Sequence, residues 1–124
     1  MQISAEPGTY VLVMYESRPR SVQVGQLGRV NLAAGYYLYV GSAFGPGGLQ
    51  ARIMRHLRGE KTVHWHIDYL SPQDRWQEVW FTTFPEKMEH RLAKGLLSIN
   101  TVQAGVPGFG ASDCSCVTHL FSCP

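Results

Sequence analysis

Short apolar runs separated by glycine, proline and polar residues organise the chain, and their period changes partway along it. Gly8 to Tyr15 reads Gly-Thr-Tyr-Val-Leu-Val-Met-Tyr and is bounded by Pro7 and the turn residues Ser17-Arg18-Pro19-Arg20. Such a β-branched and aromatic run predicts a central strand. Val22 and Val24 alternate with Ser21 and Gln23, Gly25 and Gly28 interrupt, and Arg29-Val30-Asn31-Leu32 resumes the alternation. This predicts an edge strand or a hairpin with a bulge. After the turn at Ala34-Gly35, Tyr36-Tyr37-Leu38-Tyr39-Val40-Gly41 is aromatic enough for a third strand, so three antiparallel strands open the domain.

Beyond the loop Gly45-Pro46-Gly47-Gly48, Leu49, Ile53 and Leu57 recur every four residues until Gly59 supplies a stop. That period predicts an amphipathic helix, with Arg52 and His56 flanking its apolar stripe on the side nearer the sheet. Thr62 to Leu70 is ambiguous between helix and strand. Trp76 to Phe84 predicts a further strand, and Pro85 opens a second helix whose buried face is Met88, Leu92, Ala93, Leu96 and Leu97. Gly105 to Pro124 reads as an irregular tail containing all three cysteines. The pattern is that of one α/β (α+β) domain over residues 1–124, without repeat or linker.

Composition narrows the class. Hydrophobic residues make up 44% and charged ones 16%, which is globular. No run approaches the ~20 apolar residues of a membrane span, and Met1 to Thr9 lacks the basic start and apolar block of a signal peptide. A cytoplasmic protein with no membrane association is expected. Cys114, Cys116 and Cys123 crowd the tail, which suits free thiols in a reducing compartment. The net charge of +2 says little about partners, but Arg52, Arg55, His56, Arg58 and Lys61 fall within ten residues. Arg55, Arg58 and Lys61 are therefore candidate phosphate contacts on nucleic acid.

Two further features bear on chemistry. Glu89 lies four residues before Ala93, at the edge of the second helix's apolar stripe. A carboxylate there is paired with an arginine, bound to metal or protonated, because burying it alone is costly. In the tail, Cys114-x-Cys116-x-x-His119 offers soft ligands for a structural zinc, while His64, His66 and Asp68 alternate and on a strand would share a face.

Gly8-Thr9-Tyr10 and Tyr39-Val40-Gly41 resemble the two short signatures of the GIY-YIG nuclease superfamily. Leu49-Gln50-Ala51-Arg52 follows where that superfamily carries its helix arginine, and Glu89 where it carries its metal-binding glutamate. Val24 to Gly28, Gly35 to Ala43, Arg55 to Arg58, His64 to Leu70 and Gly108 to Cys114 are similar to one branch of small archaeal and bacterial proteins. Members of that branch are sometimes fused to an endonuclease III-type DNA glycosylase. The resemblance implies a central three-stranded antiparallel sheet flanked by helices, and a Mg²⁺- or Mn²⁺-dependent endonuclease cleaving nucleic acid, DNA rather than RNA. It also implies association with a DNA-repair glycosylase. Glu89 would hold the metal, Arg52 would offset charge on the phosphate, and Tyr10, Tyr39 or His56 would serve as general base. Departures, such as Thr9 in place of the usual isoleucine, leave open a non-catalytic nucleic-acid-binding module with a degenerate site. A zinc-stabilised interaction domain is the second alternative.

Overall fold

The computed structural model of the chain describes residues 2–59, 65–109 and 118–123. The predicted central strand, β1 (Gly8–Glu16), pairs antiparallel along its whole length with β4 (Gly35–Ala43), Tyr10 standing opposite Gly41 and Leu12 opposite Tyr39. Its other edge pairs antiparallel with β5 (Trp76–Thr82), with a register shift between Val13 and Met14. Leu12, Met14 and Tyr10 pack on one face with Leu49, Ile53, Ile67 and Leu70. Val11 and Val13 pack on the other face with Leu38, Val40, Val102, Phe121 and Ala93. Both faces of β1 are covered, which is why its sequence is a continuous apolar run rather than an alternation.

The fold is mixed α+β, but the sheet has five strands instead of the expected three, in the order β5-β1-β4-β7-β6, with β6 at Gln103–Ala104 and β7 at Leu120–Cys123. The stretch read as an edge strand or bulged hairpin, β2 (Arg20–Val24) and β3 (Gly28–Leu32), forms a separate two-stranded sheet closed by a 3₁₀ turn at Gly25–Leu27. Its register runs without a bulge. It stays apart because β1 is already paired on both edges and β4 takes β7 on its free edge. Val24, Val30 and Leu32 add its inner face to the larger core.

The tail also departs from its reading. Leu120–Cys123 forms β7, antiparallel to β4, and Gln103–Ala104 forms the short edge strand β6. Leu120 and Phe121 are buried on opposite faces, so four residues show neither alternation nor helical period. Residues 110–117, with Cys114 and Cys116, lie outside the described residues.

Helix α1 (Gly48–Leu57) matches its prediction, burying Leu49, Ile53 and His56. No side chain caps it; the N–H groups of Leu49 and Gln50 donate to the carbonyls of Glu6 and Ser4. Helix α2 (Glu89–Leu97) starts four residues later than Pro85, and of its expected buried face only Ala93 is fully buried, with Leu92 and Leu96 partly so. Leu97 faces solvent because the helix rests on the sheet along the line of residues 92, 93 and 96. His66–Leu70 is a 3₁₀ turn, so His66 and Asp68 do not alternate on a strand, and His64 lies outside the described residues. Among the described residues no helix is long and apolar enough to cross a membrane.

Candidate active site

An open cleft of about 370 Å³ lies where the top of the β1–β4 ladder meets α1 and the start of α2. Tyr10, Tyr39, Gly41, Ser42, Arg52 and Glu89 line it, along with Phe44, Trp65, Lys87 and His119. The ladder explains the tyrosines. Tyr10 faces Gly41 and Tyr39 faces Leu12, so the two phenols lie on one face, one pair apart on the diagonal.

Both signature glycines make room. A Cβ at Gly41 would meet the Tyr10 ring, with Cζ at 2.5 Å and the hydroxyl closer still. A Cβ at Gly8 would run into the Thr82 carbonyl and come within 2.7 Å of Leu49 Cδ1, blocking the approach of β5 and α1. The short motifs therefore record a packing need: Tyr10 can lie flat across β4 only where β4 carries no side chain.

Tyr10 and Tyr39 are both buried, at 2% and 8% exposure. The Tyr10 hydroxyl lies 2.6 Å from Nε2 of His56, which sits beneath it on α1 and is itself buried. Burial raises the Tyr10 pKa well above its ordinary value and Tyr39 raises it further, while the Arg52 charge and hydrogen bond pull it back. Burial likewise raises Tyr39, again opposed by Arg52. At neutral pH both phenols keep their protons.

Arg52 is held on two sides. Its Nη1 donates to the Ser42 carbonyl at 2.8 Å, and its guanidinium lies 4.4 Å from the centre of the Trp65 ring. Arg55, three residues on, lies 4.3 Å from the same ring and makes a two-pronged ion pair with Asp68, at 2.9 and 3.0 Å. Asp68 also accepts the Trp65 N–H at 2.9 Å, locking the platform on which both guanidiniums rest. Arg58 is exposed past the end of α1, and Lys61 lies outside the described residues.

Glu89 is the first residue of α2, where a negative charge complements the helix dipole. Its side chain is 21% exposed, and His90 Nε2 stands 3.9 Å from Oε1. Thr9 helps position it. The Thr9 hydroxyl, fully buried on β1, accepts the Met88 N–H at 3.1 Å and so ties the residue before Glu89 to the strand carrying Tyr10.

Tyr10, Tyr39, Arg52, His56 and Glu89, the catalytic candidates of the sequence, meet here, His56 behind Tyr10. Sequence reading did not bring in Trp65, Lys87 or Phe44, and it placed His119 with a zinc. The zinc partners Cys114 and Cys116 lie outside the described residues. His119 lines the cleft near Glu89, its backbone held by Phe109 and Val40 and its ring centre 6.0 Å from that of His90. Burial lowers its pKa, with Glu89 opposing and His90 adding to the burial effect, which favours the neutral imidazole. Only Lys87 carried a signal, as a basic residue two before Glu89.

No group of three or more His, Cys, Asp or Glu able to cage a metal occurs among the described residues. Among the described residues Glu89 is the one carboxylate lining the cleft. That donor set suits Mg²⁺ or Mn²⁺, which keeps waters and takes one or two carboxylates plus substrate oxygens, and not a closed protein site.

Comparison with curated proteins and with solved structures gave no significant match. A family model described as "Domain of unknown function DUF123" matches residues 9–124, from the strand bearing Tyr10 to the end of the chain. The chain belongs to the DUF123 domain family.

Proposed function

We propose that this chain is a divalent-metal-dependent phosphodiesterase of GIY-YIG type acting on nucleic acid, DNA rather than RNA. One observation carries the reading: Tyr10, Tyr39, Arg52 and Glu89, from four different elements, converge on one open polar cleft.

The chemistry follows from the side chains. Arg52, fixed by Ser42 and Trp65, is preorganised to hold a phosphate and to meet the charge that grows on its non-bridging oxygens. Lys87 adds a second cation. Because burial keeps both phenols protonated, a tyrosine takes a proton from water only if it passes its own proton on. Tyr10 has an acceptor in place, His56 Nε2 at 2.6 Å. As the water oxygen bonds to phosphorus, its proton moves to the Tyr10 oxygen and the Tyr10 proton moves to His56; the phosphorus–oxygen ester bond breaks and the leaving oxygen is protonated from solvent. Tyr39 then positions the water or the phosphate. Glu89 is the residue that would hold Mg²⁺ or Mn²⁺, which when bound supplies Lewis-acid stabilisation of the phosphate oxygens.

The test is cleavage of supercoiled, branched, flapped and single-stranded DNA and of RNA, with and without Mg²⁺ or Mn²⁺. Metal-dependent cleavage by wild type and its loss in Glu89→Gln are expected. Wild type inert on every substrate, or undiminished activity in purified Glu89→Gln, rejects the reading; retained binding without cleavage would leave a nucleic-acid-binding module.

A further inference from the structure

Beside the cleft lies a second hollow of about 440 Å³, walled by Glu6, Pro7, Phe44, Thr83 and Pro85. Phe44 lines both. Their chemistry differs sharply. The cleft carries Arg52 and Lys87, whereas among the described residues the hollow has no cation on its walls, a single carboxylate in Glu6, and apolar surface from one aromatic ring and two prolines. The apolar character continues along the sheet edge. Phe81 stands opposite Tyr10 across the β1–β5 ladder, which puts its ring on the cleft face, and it is exposed, as is Phe84.

We propose that the hollow seats a nucleobase, with Phe44 as its stacking platform, while the adjoining phosphate occupies the cleft. The substrate class is then a strand with unstacked bases, single-stranded nucleic acid or a single-stranded flap, and not intact duplex. The inference rests on the phosphodiesterase reading and adds to it the form of the substrate. A nucleotide joins an anionic phosphate to a flat uncharged ring, and the two hollows divide along that line. Arg52 and Lys87 attract the phosphate, and the Glu6 carboxylate repels it from the second hollow, leaving that space to the base. A base inside a duplex has both faces already stacked, so it offers Phe44 nothing. Aromatic stacking accepts any base, so the platform carries no base preference of its own.

The experiment uses Glu89→Gln protein, so that the strand stays whole, and fluorescence anisotropy with three labelled probes at one salt concentration. These are an oligothymidylate, an abasic oligomer of equal length and the matching duplex. The oligothymidylate should bind about five-fold or more tighter than the abasic oligomer, the least that one stacked base contributes. Phe44→Ala should remove that ratio while keeping the abasic affinity, and Phe44→Trp should preserve it, which separates loss of stacking from loss of fold. Equal affinity for oligothymidylate and abasic oligomer, preference for duplex, or equal weakening of all probes by Phe44→Ala overturns the proposal and leaves the phosphodiesterase reading standing. Failure of all three probes to bind sinks both. Self-association that Phe44→Ala abolishes, with no change in probe affinity, would assign the surface to a second copy of the chain.

Discussion

The two ends of the β1–β4 ladder carry the same kinds of residue and put them to different use. At one end are Tyr10, Tyr39, Glu89 and Arg52; at the other are Tyr15, Tyr36, Glu16 and the arginines Arg20 and Arg75. Tyr15 and Tyr36 stand directly opposite each other, ring centres 4.9 Å apart, at 40% and 46% exposure. They differ from Tyr10 and Tyr39 in parity, pointing to the other face, beyond the reach of α1. The carboxylates differ more. Glu16 is buried and saturated: Arg20 grips both its oxygens at 2.7 and 2.9 Å, and Arg75 adds a contact at 3.2 Å. The same arginines donate to the Leu70 and Ser71 carbonyls, tying the end of the His66–Leu70 turn to the sheet. Among the described residues Glu89 has only a histidine, at 3.9 Å, and keeps capacity for a ligand. The hollow at the Glu16 end is the larger, about 530 Å³ against 370 Å³, yet the Glu16 carboxylate on its wall is already neutralised. Volume alone therefore does not mark where a carboxylate keeps charge for a ligand.

The contrast breaks most sharply on the carboxylates. Glu16→Gln should destabilise the fold by about 3 kcal/mol, the low end for a severed buried pair because both arginines keep some solvent contact. Glu89→Gln should shift stability by less than about 1 kcal/mol, as expected of a partly exposed group. Urea melts of the two variants decide it, and comparable losses would mean that Glu89 is structural.

The arginines come next. Arg52→Ala should slow cleavage by ~100-fold or more, the scale of removing a preorganised donor to developing charge. Arg20→Ala should leave the rate per folded molecule unchanged while lowering the melting temperature. Equal rate losses in both variants would erase the distinction between the ends.

A pH series sharpens the tyrosine contrast. In the unfolded chain Tyr10 and Tyr39 lose their protons near the ordinary value of 10.0, whereas in the fold burial raises both. Above that pH the unfolded state binds fewer protons than the native one. The stabilisation they lend is complete below about pH 10 and falls as pH rises beyond it. Replacing both by phenylalanine should flatten the loss of stability between about pH 9.5 and about pH 11. An unchanged alkaline slope would mean that these phenols ionise alike in both states.

The smallest effect concerns Thr9. Thr9→Val keeps the shape but removes the acceptor of the Met88 N–H, costing about 1 kcal/mol. It should also weaken Mn²⁺ binding, read by electron paramagnetic resonance, with Thr9→Ser restoring it. Loss of stability with unchanged Mn²⁺ affinity would confine Thr9 to holding the helix end.

Local pattern by itself determined a good part of this protein. The β-branched run of β1, the aromatic run of β4 and the four-residue period of α1 are statements about which face of an element avoids water, and adjacent residues suffice to make them. The same pattern set Arg52 and His56 on the cleft side of α1 and marked Glu89 as a carboxylate at an apolar edge. The resemblance of the two glycine–tyrosine motifs then named the residues that meet, although why those glycines are needed appears only when the Tyr10 ring is seen lying across Gly41. Tertiary structure decided what no window of sequence encodes: which strand takes which free edge, and which side chains from distant segments share a volume. Strand β7 is four residues long, and it is a strand only because β4 offers it a vacant row of hydrogen-bond partners. His119 reaches the cleft by that pairing, Lys87 by the bend before α2, and Trp65 by the Asp68 cap that also removes Arg55 from the pool of free cations. Pairing and convergence depend on contacts between residues far apart in the chain, whose energy exists only once the fold has closed the loops between them.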